Sequence, residues 1–324
     1  MTTHHTLRAS PGTVHWGHFD ASLAPVLTVC SGDTITLESV NGGRDVIAGT
    51  SGVLPEHAEI LERLSPKLGP HILTGPVHVK DARPGDTLAV RIERVELRQD
   101  WGYNQIHPLK GGLPEDFPAR NLVHIPIDRA RKTAQLPWGP EIPLRPFFGV
   151  LAVAPRPAYG CISSIEPREF GGNIDNKELV AGTTLLLPVQ TEGALFSAGD
   201  GHAAQGDGEV CLTALETALT GTFRLTLHKG MTIAMPRAVT PTHLITHGFD
   251  PDLDDAAKQA LREMIAWLVT LEGWRAVDAY VTCSLACDLR VTQIVDGNKG
   301  IHAMFPLALL SGNARAKVEA LRED

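Results

Sequence analysis

A chain of 324 residues, 43% hydrophobic and 20% charged, is long enough for one large domain or two intimately packed ones. Its formal net charge of -8, with no basic run anywhere, argues against a phosphate backbone as partner and leaves a small neutral or cationic ligand. No stretch reaches the apolar length of a membrane span, and the opening MTTHHTLRAS lacks the apolar core of a secretion signal, so a cytoplasmic protein without membrane or nucleic-acid contacts is expected.

Glycine (31) and proline (23) cut the chain into short segments, which points to many strands joined by turns. The phrases SGDTITLESV from Ser31 and PGDTLAVRIERVEL from Pro84 each place Gly-Asp-Thr before an alternating apolar run. Both predict a turn feeding a half-buried strand; in the second, Leu88, Val90 and Ile92 share one face, Arg91 and Glu93 the other. Residues 97–143, with Trp101, Tyr103, His107, seven prolines and few periodic runs, predict a long excursion of loops that either covers an active site or joins subunits. Residues 210–219 fit a helix or a strand. Alternation returns at Thr222–His228, through Phe223, Leu225 and Leu227, and at Leu289–Val295. Between Leu253 and Leu271, apolar residues at 257, 261, 264, 265 and 268 recur at helical spacing behind Asp250 and Asp252 as N-caps, and a shorter helix is predicted over Ala276–Leu285. The fold expected is a β-rich α+β one, with sandwich or barrel-like sheets and smaller α/β elements towards the C-terminus. Residues 1–324 make one unit, or two packed β-rich subdomains without a clean linker.

Five cysteines (30, 161, 211, 283, 287) lack Cys-x-x-Cys spacing and read as reduced thiols, with Cys283 and Cys287 as buried small hydrophobes and Cys161 in a packing role. The chemistry lies elsewhere. GDGHAAQGDGE, Gly199 to Glu209, crowds Asp200, His202, Asp207 and Glu209 between glycines at 199, 201, 206 and 208, whose access to positive φ would let these side chains converge. Carboxylate oxygens with an imidazole nitrogen suit a divalent cation, a positioned water, or both, and a carboxylate left over serves as general base. A glycine-rich turn of solvated acids is the alternative. PREFGGNIDNKEL, from Pro167, adds Asn173, Asp175, Asn176, Lys177 and Glu178, with Asp175 as a further ligand and Lys177 as holder of an oxyanion or of an acidic neighbour; an Asx turn with exposed charges is the competing reading. His71, in GPHILTGPVHV, is a ligand if partners converge on it and otherwise a structural histidine. Nucleophile readings are weaker: no Gly-x-Ser-x-Gly elbow occurs, and Ser163, Ser164 and Cys161 stand without a surrounding signature.

Taken together, GPHILTGPV, REFGGNIDNKEL, FSAGDGHAAQGDGEV, PTHLITHGFDPDL and DLRVTQIVDGNKGIHA resemble the acetamidase/formamidase family from about His15 to Pro306. The resemblance implies hydrolysis of short aliphatic amides to a carboxylic acid and ammonia by metal-activated water with a carboxylate base. It also implies zinc, with calcium as an alternative ion, and a homodimer or higher oligomer. It carries His71, Asp175, Asp200, His202, Asp207 and Glu209 into the site; the expected metal ligands are His71, Asp175, Asp200, His202 and Glu209, and the expected catalytic residues Glu209, Asp207 and Lys177. Leu212 departs from the pattern, standing where a smaller residue such as glycine is expected. Rival readings are a lactamase or other C–N hydrolase acting on a bulkier or cyclic amide, and a metal-stabilised protein that binds small amides without cleaving them.

Overall fold

Period-two patterning becomes two large sheets in the computed structural model, which describes residues 2–323. The first sheet has nine strands and runs from His4–Leu7 at one edge, through Thr34–Glu38, Leu219–His228, Thr87–Leu97, Thr184–Pro188 and Arg237–Val239, to His243–Asp250, Lys299–Pro306 and Asp288–Gln293. The two Gly-Asp-Thr phrases fold alike. Asp33 accepts the backbone N–H of Cys30 and Asp86 that of Arg83, and the strands that follow flank the same neighbour, Leu219–His228. Each is a turn closed by an aspartate three residues on, as the repeated wording suggests.

Alternation along the first sheet divides its side chains between two cores. Leu88, Leu185, Ala238, Ile245 and Met304 join a cluster shared with the second sheet, through Leu73, Val77, Phe148 and Phe196. Their neighbours Ala89, Leu186, Val239, Leu244 and Phe305 face the other way, onto the helices Leu253–Glu272 and Ala276–Ala286. A one-residue step thus separates a sheet-on-sheet core from a sheet-on-helix core. The long helix follows its prediction: Asp252 caps it by accepting the N–H groups of Asp254 and Asp255, and Gly273 ends it at φ 72°. Gly248 lets it lie directly on its strand, since a Cβ there would overlap the Ala256 carbonyl.

Two expectations need correction. Residues 97–143 are only partly loops: residues 107–120 lie outside strands, but Trp101–Ile106, Asn121–Asp128, Thr133–Gln135 and Glu141–Pro143 form an antiparallel meander at the outer end of the second sheet. Of the two cysteines expected to be buried, Cys283 is, whereas Cys287 is half-buried. Residues 210–219 are mostly irregular, with a two-residue strand Leu215–Glu216 and the start of the strand Leu219–His228. Among the described residues, no helix is long and apolar enough to cross a membrane.

Candidate functional site

The second sheet turns its inner face to the core and its outer face to the site. In its strand Phe147–Ala152, Phe148 and Val150 enter the core, so Gly149 between them faces outward. There its missing Cβ matters: one would overlap Asp175 Oδ1 and Asp200 Oδ2 and press on the His202 ring. GDGHAA belongs to the neighbouring strand Phe196–Ala204 and is not a turn. Glycine does not supply the left-handed backbone either. Of residues 199, 201, 206 and 208 only Gly208 has positive φ, whereas Asp175 (51°), Asp200 (57°) and Glu209 (47°) take it themselves. Such φ values in non-glycine residues cost of order 1–3 kcal/mol each and cluster at functional sites. Asp200 thereby breaks the strand's alternation: Ala198 faces the core, yet Asp200 faces away from it with His202. Gly199 and Gly201 serve close packing, since a Cβ on either would overlap the Ile72 or Thr217 carbonyl.

Six side chains converge, each 1% to 6% exposed: Asp175, Asp200, His202, Glu209, Glu216 and Asp296. His202 Nε2 lies 3.1 Å from Asp200 Oδ2, 3.3 Å from Glu216 Oε1, 3.8 Å from Asp175 Oδ1 and 4.0 Å from Glu209 Oε1. None of these oxygens makes a well-aligned hydrogen bond with it, and Asp175 Oδ1, Glu209 Oε2 and Asp296 Oδ2 are buried without partners as well. The far side of the ring is fixed. Gln205 donates its amide to the carbonyls of Asp175 and Thr292, so its Oε1 accepts from His202 Nδ1 at 2.9 Å. With Nδ1 as donor, the ring in its neutral form would aim the Nε2 lone pair at the carboxylates, the orientation a metal-binding imidazole needs. His71 is held similarly, Nδ1 on Ser164 Oγ at 2.9 Å and Nε2 4.0 Å from Asp200. Ser164 is fully buried and works as that anchor.

Five carboxyl groups around one imidazole cannot all be charged at low cost in a buried site. Burial pushes Asp175 up to about 6 and Glu216 up to about 7, and lifts Glu209 and Asp296 well above the carboxylate range. Against the same burial, the charges of His202 and His71 and a hydrogen bond from Asn41 hold Asp200 low. His202 is raised because Glu216 and Asp200 outweigh its own desolvation. A cation would relieve this crowding, and the donors fit one: Asp175, Asp200 and His202 bring their ligand atoms within 4.8 Å of one another, as do His202, Glu209 and Glu216, and Asp175, Glu209 and Asp296.

Beside the cluster opens a cavity of about 400 Å³, lined by Asp200, Glu209, Glu216 and Asp296 and by residues that include Trp16, His71, Tyr103, Asn173, Leu212 and Val295. Of the residues singled out in the sequence, Asp175, Asp200, His202 and Glu209 meet there, with His71 beside them. Lys177 and Asp207 do not join them. They pair with each other at 3.0 Å, and Asp207 also takes a fork from Arg290, 2.6 Å at Nη2. A lysine so engaged is poorly placed to hold an oxyanion, and an aspartate under two cations is a weak base, its carboxyl held below the usual range by Lys177 and Arg290 despite partial burial. Sequence reasoning missed Glu216 and Asp296. It also missed Asn41, which donates to Asp200 Oδ1 at 3.1 Å and Glu216 Oε2 at 2.5 Å. Leu212 takes φ 111°, which accounts for the smaller residue expected there.

The profile of the "Acetamidase/Formamidase family" matches residues 12–159 and 158–310. An acetamidase of Mycolicibacterium smegmatis is 49% identical over 198 residues, 43% of this chain and 49% of that protein. The chain thus spans about half the length of the curated relatives it matches, 47% and 49% in two of them. Among solved structures, an acetamidase from Bacillus halodurans superposes with a TM-score of 0.81 at 30% identity, covering 94% of this chain and 97% of that one. One from Yersinia enterocolitica gives 0.84 at 28%, covering 96% and 94%.

Proposed function

The chain belongs to the acetamidase/formamidase family, and from that premise we propose that it hydrolyses short aliphatic amides to a carboxylic acid and ammonia at the buried carboxylate and imidazole cluster. One observation carries the reading: His202 Nε2, Asp175 Oδ1, Glu209 Oε2 and Asp296 Oδ2 are buried, unpartnered and gathered together. Groups left so expensively bare are completed by a ligand.

Asp175, Asp200 and His202 would hold a divalent ion; their mixed nitrogen and oxygen donors suit zinc, while the all-oxygen trio of Asp175, Glu209 and Asp296 suits calcium. Such an ion would supply Lewis acidity, polarising an amide carbonyl and lowering the pKa of water from 15.7 to about 7. The remaining work falls to the side chains. Glu209 Oε2 accepts the proton of the attacking water and returns it to the departing nitrogen, which must leave as ammonia. Asn41 holds the Asp200 and Glu216 carboxylates from one side, and Gln205 keeps the His202 ring in one tautomer. The expensive left-handed conformations of Asp175, Asp200 and Glu209 keep three carboxylates converged before substrate arrives.

The test is ammonia release from formamide, acetamide and propionamide with purified protein, before chelation, after it, and with zinc restored. Release that stops on chelation and returns with zinc is expected. Undiminished release after verified metal removal would sink the metal part. No release at all would leave a protein that binds small amides without cleaving them.

A further inference from the structure

The cavity exceeds what a two-carbon amide needs. Its volume is about 400 Å³, whereas the four heavy atoms of acetamide take roughly the room of three waters, ~90 Å³ at ~30 Å³ each. Among the residues lining it stands Asn173, 3% exposed, on the strand Gly171–Asn173, which pairs with Phe147–Ala152 at Val150. Its Oδ1 is buried without a hydrogen-bond partner. Leaving such an acceptor bare is costly, so a ligand group belongs against it.

The complement of a side-chain carboxamide is another carboxamide. Asn173 Oδ1 accepts the N–H that lies syn to the substrate carbonyl, and Nδ2 donates to that carbonyl oxygen, closing a ring of two hydrogen bonds. A primary amide carries that syn N–H, and a trans N-methyl amide does not. The carboxylate product offers acceptors alone and gives up the bond to Oδ1, which favours its release. The cavity walls also include Trp16, Val46, Ile165, Leu212 and Val295, with Asp45, His107 and Lys110 among their polar neighbours. Trp16 spends its indole N–H on the Pro70 carbonyl at 2.7 Å and so presents an apolar surface.

Building on the hydrolytic reading above, we propose that the site binds primary amides head-first, with the carboxamide on Asn173 and an apolar acyl group of roughly ten heavy atoms in the rest of the cavity, a small-ligand occupancy for a pocket of this size.

The experiment measures kcat/KM for acetamide, butyramide, hexanamide, phenylacetamide and N-methylphenylacetamide with the metal-loaded protein and with Asn173→Ala, Asn173→Asp and Ile165→Trp, metal content being assayed in each. For the native chain, hexanamide and phenylacetamide exceed acetamide at least tenfold, since each buried methylene is worth about fourfold, and N-methylation costs at least tenfold. Asn173→Ala lowers the primary amides at least tenfold and narrows the gap to the N-methyl amide. Ile165→Trp lowers phenylacetamide by a larger factor than acetamide. Acetamide turnover with a flat or falling acyl series overturns the acyl placement and leaves hydrolysis standing. Unchanged N-methyl discrimination in Asn173→Ala, or loss of metal from it, overturns the pairing. No release from any amide overturns both readings, and the first two measurements need no variant.

Discussion

Two charge clusters lie side by side in this protein, and the same two stretches of sequence feed both. From IDNKE and DGHAAQGDGE, Asp175, Asp200, His202 and Glu209 turn into the buried pit. Lys177, Glu178 and Asp207 turn instead into a clamp, in which Arg290 bonds both Asp207 and Glu178 and Arg145 takes the other oxygen of Glu178 at 2.8 Å. In the clamp every carboxylate oxygen meets a cation and solvent reaches part of it. The pit sets five carboxyl groups against one imidazole and leaves polar atoms bare. Balanced charge here is architecture. Imbalance marks the place where something from outside completes the structure.

That contrast can be pressed from its strongest arm to its weakest. Glu209→Gln keeps the shape of a pit side chain and removes its proton acceptor, so kcat for amide hydrolysis should fall about 10²- to 10⁴-fold with the far-ultraviolet circular dichroism unchanged; a near-native rate would take Glu209 out of the chemistry. Glu216 reports the imbalance through stability. Burial raises it from 4.5 to about 7, so its contribution is fully present below pH 4.5 and is lost as pH rises towards 7. In chelated protein, native stability should therefore decline relative to Glu216→Gln by about 1.4 kcal/mol per pH unit between roughly pH 5 and 7. Urea midpoints at pH 5, 6 and 7 decide it, and parallel slopes would refute the assignment. Asp207→Asn strikes the clamp, whose partners are about a third exposed and screened. Stability should drop by no more than about 1 kcal/mol, and turnover by less than about tenfold. If this variant were as damaging as Glu209→Gln, the distinction between the two clusters would collapse.

Legibility followed the same divide. Long periodic stretches were readable because burial on one face leaves a repeating trace: the helix from Leu253 and the strands after both Gly-Asp-Thr turns could be read from spacing and caps. The meander between 101 and 143 could not, because much of it is exposed or only half-buried, so little contrast is written along it. Asp175, Asp200, His202 and Glu209 were recognisable as chemistry within short phrases. Glu216 sits in a two-residue strand inside an aperiodic stretch, and Asp296 in a Val-Asp-Gly turn between strands, where an aspartate ordinarily means only a turn. Their role arises from folding across long separations, of which local sequence holds no record. The left-handed backbone was anticipated at the glycines and occurs mainly at the acids, because the surrounding sheet imposes it where propensity would not.

Gly149 has no side chain with which to bind, donate or accept, yet the width of the pit is set by the hydrogen it carries where other residues carry carbon. An inventory of functional groups would therefore pass over the position that limits them. A designer shuffling this sequence while preserving all six polar side chains, but admitting alanine at 149, would keep every part of the machine and lose the room in which the parts meet.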